Sequence, residues 1–315
     1  MTTKLTGAGR LAGVIGWPVT HSRSPLLHGY WLERYGIDGA YVPLAAERDF
    51  EGVVRGLRAA GFRGANVTKP WKEAAFALCD VVETSARRIG AINTLVFDER
   101  GIVGSNTDGF GFLAGLGEAG IAVSGQRALV LGAGGGSRAV CHALDEAGAH
   151  VTVTNRSRRR AEQVAENLPG IAVIDWERRS QAIGDCDLLV NTTSLGMAGS
   201  EPLDIDLSRG RATLCVSDIV YVPLEHLCCA RPGKAATRPS TGSQCSSTRP
   251  APVSRPGLEL TPASTTRFVR SFSPPSAADA ARLLARDVPE LRAQAKMLGR
   301  GSPGLSAGGR GGGLS

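Results

Sequence analysis

The chain has 315 residues and a net charge of +7, too long for one small core and long enough for two domains. The charge is unevenly spread: His226 to Ser315 holds 13 Lys/Arg against 4 Asp/Glu, so residues 1–225 hold 23 against 25, or −2. The body therefore carries no electrostatic footprint for DNA or RNA. No apolar run approaches ~20 residues, which excludes a membrane span, and Met1 to Arg10 lack the apolar centre of a secretion signal. The seven cysteines show no CxxC spacing and no partnering histidines. Reduced thiols in a cytoplasmic protein are expected, with no metal site.

In chain order, Leu11 to Ile15 reads as a strand, followed by a helix that Ser24 can cap with Pro25 in its first turn. Ala40 to Leu44 is the next strand and Phe50 to Ala60 the next helix. Ile92 to Phe97 and Ile102 to Gly104 read as strands joined through Asp98–Gly101, and a helix runs from Asp108 to Leu116. A second unit opens with the strand Ala128 to Leu131, a glycine loop, and a helix to Ala147. The strand Val151 to Thr154, the helix Ser157 to Leu168, and strands at Leu188 to Val190 and Leu214 to Val216 complete it. This βαβ succession predicts an α/β protein whose second unit has a parallel sheet. After Glu225 the pattern collapses into Pro, Ser, Thr, Arg and Gly, with one helical stretch at Ala277 to Met297. Such a composition buries little apolar area and predicts a largely disordered tail.

Gly132-Ala133-Gly134-Gly135-Gly136-Ser137 lies between a strand and a helix. Glycine lets the backbone turn tightly and approach a pyrophosphate, while the helix start supplies N–H donors. In that setting dinucleotide binding is favoured over a merely structural loop. Where an NAD site carries an acid about 20 residues on, this chain has Asn155-Arg156-Ser157 and then Arg158, Arg159 and Arg160. Arg156 can hold a 2′-phosphate through two N–H groups, so NADP is expected. A solvated basic first helical turn is the alternative, weakened because cations are disfavoured there.

On the other side, Ser22 and Ser24 offer two hydroxyls that can hold a carboxylate, or else a turn and a cap. In Asn66-Val67-Thr68-Lys69-Pro70-Trp71-Lys72, Thr68 reads as a cap and Pro70 as first-turn proline, which places Lys72 in that turn. An ammonium beside a positive helix end releases its proton more readily unless a carboxylate compensates, which suits proton transfer. A plain surface lysine is the alternative. Gly90-Ala91-Ile92-Asn93-Thr94 and Asn106-Thr107-Asp108-Gly109 add amides and a carboxylate at strand ends, where Asp108 also serves as a possible cap.

Taken in order, these motifs resemble the shikimate dehydrogenase family over residues 10–225. Gly16-Trp17-Pro18, Asn191-Thr192-Thr193-Ser194-Leu195-Gly196-Met197 and Asp218-Ile219-Val220-Tyr221 complete the set. The resemblance implies an N-terminal substrate domain (1–108) and a doubly wound, Rossmann-type NADP domain (109–225). It implies NADPH-dependent interconversion of 3-dehydroshikimate and shikimate, in aromatic amino acid (chorismate) biosynthesis. Lys72 and Asp108 would form the catalytic pair. Ser22 and Ser24 would hold the carboxylate, and Asn66, Thr68, Asn93 and Tyr221 the ring hydroxyls. Gly132 to Gly136, Asn155, Arg156, Ser157 and Ile219 would hold the cofactor, while Lys69 stands at a variable position. The partners implied are small molecules, for a monomer or homodimer. A quinate/shikimate dehydrogenase and a non-catalytic dinucleotide-binding regulator are the alternatives.

The family continues beyond this point with an Asp-Gly pair and an MLLxQ helix whose glutamine meets substrate, and neither follows Glu225. Reading the back-translated tail one base earlier permits V-D-G-L-P-M-L-L-H-Q over the codons from Ser240. A one-base loss, or a two-base gain, near Glu225 is inferred, so that 226–315 is off-frame and its +9 a by-product; a genuine divergent basic tail is the alternative. A chain made this way is expected to be impaired in substrate binding and stability.

Overall fold

A computed structural model describes residues 5–220 and 244–246. The first unit runs β1 (Arg10–Gly16), α1 (Ser24–Arg34), β2 (Gly39–Ala45), α2 (Phe50–Ala59), β3 (Gly64–Val67), α3 (Lys72–Leu78), β4 (Val81–Val82), α4 (Thr84–Ile89), β5 (Thr94–Asp98) and β6 (Gly101–Ser105). Its six-stranded sheet has the order β2-β1-β3-β5-β6-β4. It is mixed: β2, β1 and β3 run parallel, β5 lies antiparallel to both β3 and β6, and β4 is parallel to β6.

The crossing helix α5 (Asp108–Glu118) leads to β7 (Arg127–Leu131), α6 (Gly135–Glu146), β8 (His150–Thr154), α7 (Arg158–Asn167), β9 (Ala172–Ile174), β10 (Leu188–Asn191) and β11 (Cys215–Asp218). The short β12 (Gln244–Ser246) pairs antiparallel on the outer edge of β11. The order β12-β11-β10-β7-β8-β9, parallel apart from β12, is the doubly wound arrangement. Chain direction reverses across the sheet between β7 and β10. That is the switch point at which such sheets bind ligands beyond their strand ends.

Each sheet is buried on both faces, which is why its central strands read as near-continuous apolar runs. Alternate residues serve opposite cores. Ala128 and Val130 pack with α6 residues Val140 and Leu144, while Leu129 and Leu131 face Ile183, Leu189 and Leu214. In β1, Ala12 and Val14 pack with Leu32 and Tyr41, whereas Ile15 joins Phe50, Val54 and Leu95 on the other side. Helix α5 ties the units together. A Cβ on Gly109 would lie 2.7 Å from the Ala139 carbonyl and 2.9 Å from the Ala143 Cβ, so only glycine permits this approach to α6.

Several helix starts differ from expectation. Ser24 is the first helical residue rather than a cap, and its N–H donates to the Ser22 hydroxyl at 3.3 Å. Thr68 does not cap α3, which begins at Lys72; its carbonyl accepts the Trp71 N–H, and Pro70 precedes the helix. Asp108 opens α5 as its first residue while Thr107 is the capping position, and the Asp108 N–H donates to the Asn106 side chain at 3.0 Å. Strand β5 starts at Thr94 rather than Ile92, because the Ile92 N–H is drawn off to the Lys72 carbonyl at 2.8 Å. Strands β3, β4 and β9 and helix α4 went unforeseen; each has six residues or fewer, too short for a period to register. The helix expected at Ala277 to Met297 and the expected disorder of 226–315 lie outside the described residues, apart from β12.

Candidate active site

The glycine loop leaves the C-terminal end of β7 at the switch point. Gly132 adopts φ +111°, a conformation that favours glycine, and a Cβ there would meet the Thr192 hydroxyl at 2.6 Å. The buried Ser137 hydroxyl donates to the Gly132 carbonyl at 2.5 Å and closes the loop onto the start of α6. Beside Gly134 there is open space for a ligand, and Gly136 faces the Ile219 side chain, 3.4 Å from where a Cβ would lie. The first N–H groups of α6 therefore point into a cradle with little side chain around it, the setting a pyrophosphate needs.

The turn after β8 presents the second cofactor element. Asn155 donates to the Ser157 carbonyl at 3.0 Å, which fixes the turn. Arg156 is 67% exposed and its ion-pair partner, Glu201, is 3.8 Å away and still more exposed. Such a pair is weak and easily displaced by an anion. By contrast Arg158 is held by Glu162 and Asp175, and Arg160 by Glu73 at 2.8 Å.

Lys72 and Asp108 come from the first residues of α3 and α5. The Lys72 Nζ lies 2.6 Å from Asp108 Oδ2, with the two side chains 19% and 28% exposed. The carboxylate that compensates an ammonium at a helix start is thus supplied by a second helix start, where a negative charge is favourable. The other carboxylate oxygen accepts the Asn93 amide at 2.8 Å. A Cβ on Gly135 would sit 2.8 Å from the Lys72 Cβ, so the cofactor loop presses directly on the pair.

One cleft of about 990 Å³ runs between the two units. It is lined by Lys72, Asp108 and Thr68 from the first and by Gly132 to Gly136, Asn155, Arg156 and Ile219 from the second. Ser22, Ser24, Asn66, Asn93 and Ser157 are not among its lining residues. Asn66 accepts the Tyr41 hydroxyl at 2.6 Å and donates to Thr94, while Asn93 is buried behind Asp108. Tyr221 lies outside the described residues.

The sequence assigned no role to His21 or Lys69, both of which line the cleft. Lys69 Nζ lies 3.4 Å from the Met197 sulfur across the two units, and burial pushes its ammonium pKa down. Burial also lowers His21, with the Lys69 charge as a second cause. Neither residue had a local signal, since both belong to the site only through the meeting of the two units. No His/Cys/Asp/Glu group able to hold a metal occurs among the described residues.

Comparison with known proteins agrees with this geometry. Residues 14–95 match the family described as "Shikimate dehydrogenase substrate binding domain" and residues 117–198 match "Shikimate / quinate 5-dehydrogenase". The shikimate dehydrogenase (NADP(+)) of Acidiphilium cryptum is 60% identical over 222 residues, which is 70% of this chain and 80% of that protein. A shikimate 5-dehydrogenase from Thermus thermophilus, solved with NADP(H) and shikimate, is 39% identical with a TM-score of 0.61, covering 68% of this chain and 80% of its own. A quinate dehydrogenase from Corynebacterium glutamicum in complex with NAD is 29% identical with a TM-score of 0.63, over 70% and 83% of the two chains. From the motifs, the two-sheet fold and these matches together, the chain belongs to the shikimate dehydrogenase family.

Proposed function

We propose that this protein catalyses the reversible NADPH-dependent reduction of 3-dehydroshikimate to shikimate. The observation that carries the reading is the Lys72–Asp108 pair, 2.6 Å apart, set against a phosphate-cradling glycine loop within one cleft. A non-catalytic dinucleotide binder has no need of a partly buried ammonium–carboxylate pair beside its cofactor loop.

The residues fit NADP. Gly132 to Gly136 and the start of α6 would hold the pyrophosphate, and Arg156 the 2′-phosphate, where a carboxylate would repel it. When bound, the nicotinamide supplies the hydride that goes to the ketone carbon. Lys72 then donates its proton to the ketone oxygen as negative charge develops there, and water re-protonates the lysine. Asp108 holds the ammonium in place, 2.6 Å away. The substrate roles follow the resemblance: Ser22 and Ser24 would meet the carboxylate, and Asn66, Thr68, Asn93 and Tyr221 the ring hydroxyls, with Thr68 the one of these that lines the cleft among the described residues. The Arg156 position favours NADP over NAD, and comparing turnover of shikimate with quinate separates the shikimate reading from the quinate one.

We take 1–108 as the substrate domain and 109–225 as the cofactor domain, since α5 begins the crossing between the two sheets. No described helix is long and apolar enough to cross a membrane. The near-neutral charge of residues 1–225 favours small-molecule partners over nucleic acid, and the cysteine pattern favours a cytoplasmic protein, which we read as a monomer or homodimer. Residues 226–315 are read as an off-frame product that has replaced the family's last helices. The test is shikimate-dependent NADP reduction by the chain as it stands and by a gene restored to frame at Glu225. The Lys72→Ala change in the active form is expected to cost about 10²–10⁴-fold in turnover while NADP binding persists. Near-normal turnover in that variant would remove Lys72 from the mechanism.

A further inference from the structure

Behind the catalytic pair, four side chains form one continuous hydrogen-bonded line that ends on Asp108. Tyr41 donates to Asn66 Oδ1 at 2.6 Å, Asn66 Nδ2 to the Thr94 hydroxyl at 3.1 Å, and Thr94 to Asn93 Oδ1 at 2.9 Å. Asn93 Nδ2 donates in turn to Asp108 Oδ1 at 2.8 Å, and Asp108 Oδ2 takes the Lys72 ammonium. Thr94 is wholly buried and directly opposite Asn66 in the β3–β5 pairing, so both side chains emerge on the same face.

The direction of this line is set by a single backbone group. The Thr107 N–H, which can only donate, points at Asn93 Oδ1 at 3.1 Å. The Asn93 oxygen must therefore face Thr107, and its amine must face Asp108 and the Thr107 hydroxyl, 2.9 Å away. The second lone pair of that oxygen is filled by the Thr94 proton. Only lone pairs then remain on Thr94 for Asn66, so Asn66 must turn its amine inward and its oxygen toward Tyr41. Every donor points toward the carboxylate, and bonds aligned in this way strengthen one another in a buried setting.

We propose that Thr94 is a positioning residue for the proton-transfer pair. Its hydroxyl is the second of the two donors that hold the Asn93 oxygen, and so steadies the Asn93 amine that holds Asp108 on Lys72. The inference rests on the reading of Lys72 and Asp108 as that pair, but it reaches an observable that needs no turnover. Without the Thr94 proton, the Asn93 oxygen keeps a buried lone pair unfilled, its amide is held by the Thr107 N–H alone, and Asp108 loosens from the lysine.

The test is isotope-coded reductive methylation of the full chain, with labelling of each lysine read by peptide mass spectrometry across a pH series. Lys69, in the same cleft but outside the line, is the internal control. Thr94→Val, nearly isosteric and without the hydroxyl, is expected to speed Lys72 labelling about fivefold, the equivalent of one neutral hydrogen bond, and to leave Lys69 unchanged. Thr94→Ser is expected to restore the original rate, and Tyr41→Phe, at the outer end of the line, to leave Lys72 as in the parent. If Thr94→Val does not fold, Thr94→Ala, which adds no atom, gives the same reading. Unchanged Lys72 labelling, an equal rise at Lys69, or Thr94→Ser behaving as the valine variant would each overturn the assignment. Absence of shikimate oxidation in the parent chain, with the labelling pattern as expected, would count against the proposed activity and leave the positioning role standing.

Discussion

His28 makes the substrate domain acid-sensitive by an amount that can be worked out. It lies on α1, buried, stacked on Tyr41 with ring centroids 3.9 Å apart and planes 2° apart, and edge-on to Trp31 at 5.1 Å. Its Nδ1 meets no hydrogen-bond partner among the described residues. Burial lowers its pKa from 6.5 to about 4. Between those two values the unfolded chain binds a proton that the folded chain refuses. Stability is therefore complete above pH 6.5 and falls as the pH drops toward 4. At about pH 5 the linkage relation gives a loss of about 2 kcal/mol from this one residue. His28→Phe keeps an aromatic ring for the stack and removes the titration. Thermal unfolding of parent and variant, followed by circular dichroism, is the assay. The difference between their midpoints is expected to move in favour of the variant by roughly 4–8 °C on going from about pH 8 to about pH 5. A difference that stays constant within about 1 °C would refute the reasoning, because it would mean that His28 gains its proton without cost in the fold.

Two further outcomes follow from the cleft and one from the reading frame. Arg156→Ala should weaken NADP binding by roughly 10- to 100-fold, as expected for charge-assisted bonds of about 1.5–3 kcal/mol, while NAD binding changes little; equal losses for both, measured by fluorescence titration, would place the 2′-phosphate elsewhere. Gly135→Ala puts a methyl group 2.8 Å from the Lys72 Cβ and 3.3 Å from the Ala91 Cβ; it is expected to cost about 1–3 kcal/mol of stability and to lower turnover together with it, as unfolding curves and steady-state rates would reveal. Resequencing the coding DNA on both strands across the Glu225 codon is expected to return an additional base that restores the MLLHQ frame. If the displayed frame is confirmed instead, little or no shikimate-dependent NADP reduction is expected from its product.

The cofactor half was legible in the sequence because its chemistry is local. Gly132 to Ser137 form strand end, turn and helix start within six residues, and backbone sterics alone demand glycine at Gly132. Arg156 likewise declares itself by standing where a carboxylate would otherwise be. The α/β class followed from apolar runs of strand length alternating with helical periods. Helix starts were read less well. Ser24, Thr68 and Asp108 all have capping side chains, but none stands at the capping position: Ser24 and Asp108 are the first residues of their helices, and Thr68 lies ahead of the turn that leads into α3.

What the sequence determined by itself was the order of the elements, the glycine loop, the Arg156 position and the presence of a lysine and an aspartate suited to proton transfer. Tertiary structure alone decided that Lys72 and Asp108, 36 residues apart, close to 2.6 Å, and that Gly135 abuts the lysine. It also joined Tyr41, Asn66, Thr94 and Asn93 into one line, although Tyr41 sits in an apolar strand with nothing beside it to mark a site. The reason is physical. Backbone conformation and helix dipoles act over a few residues and leave a local pattern, whereas a hydrogen bond between strands depends on register and on which face a side chain takes. Those are fixed only when the two sheets pack.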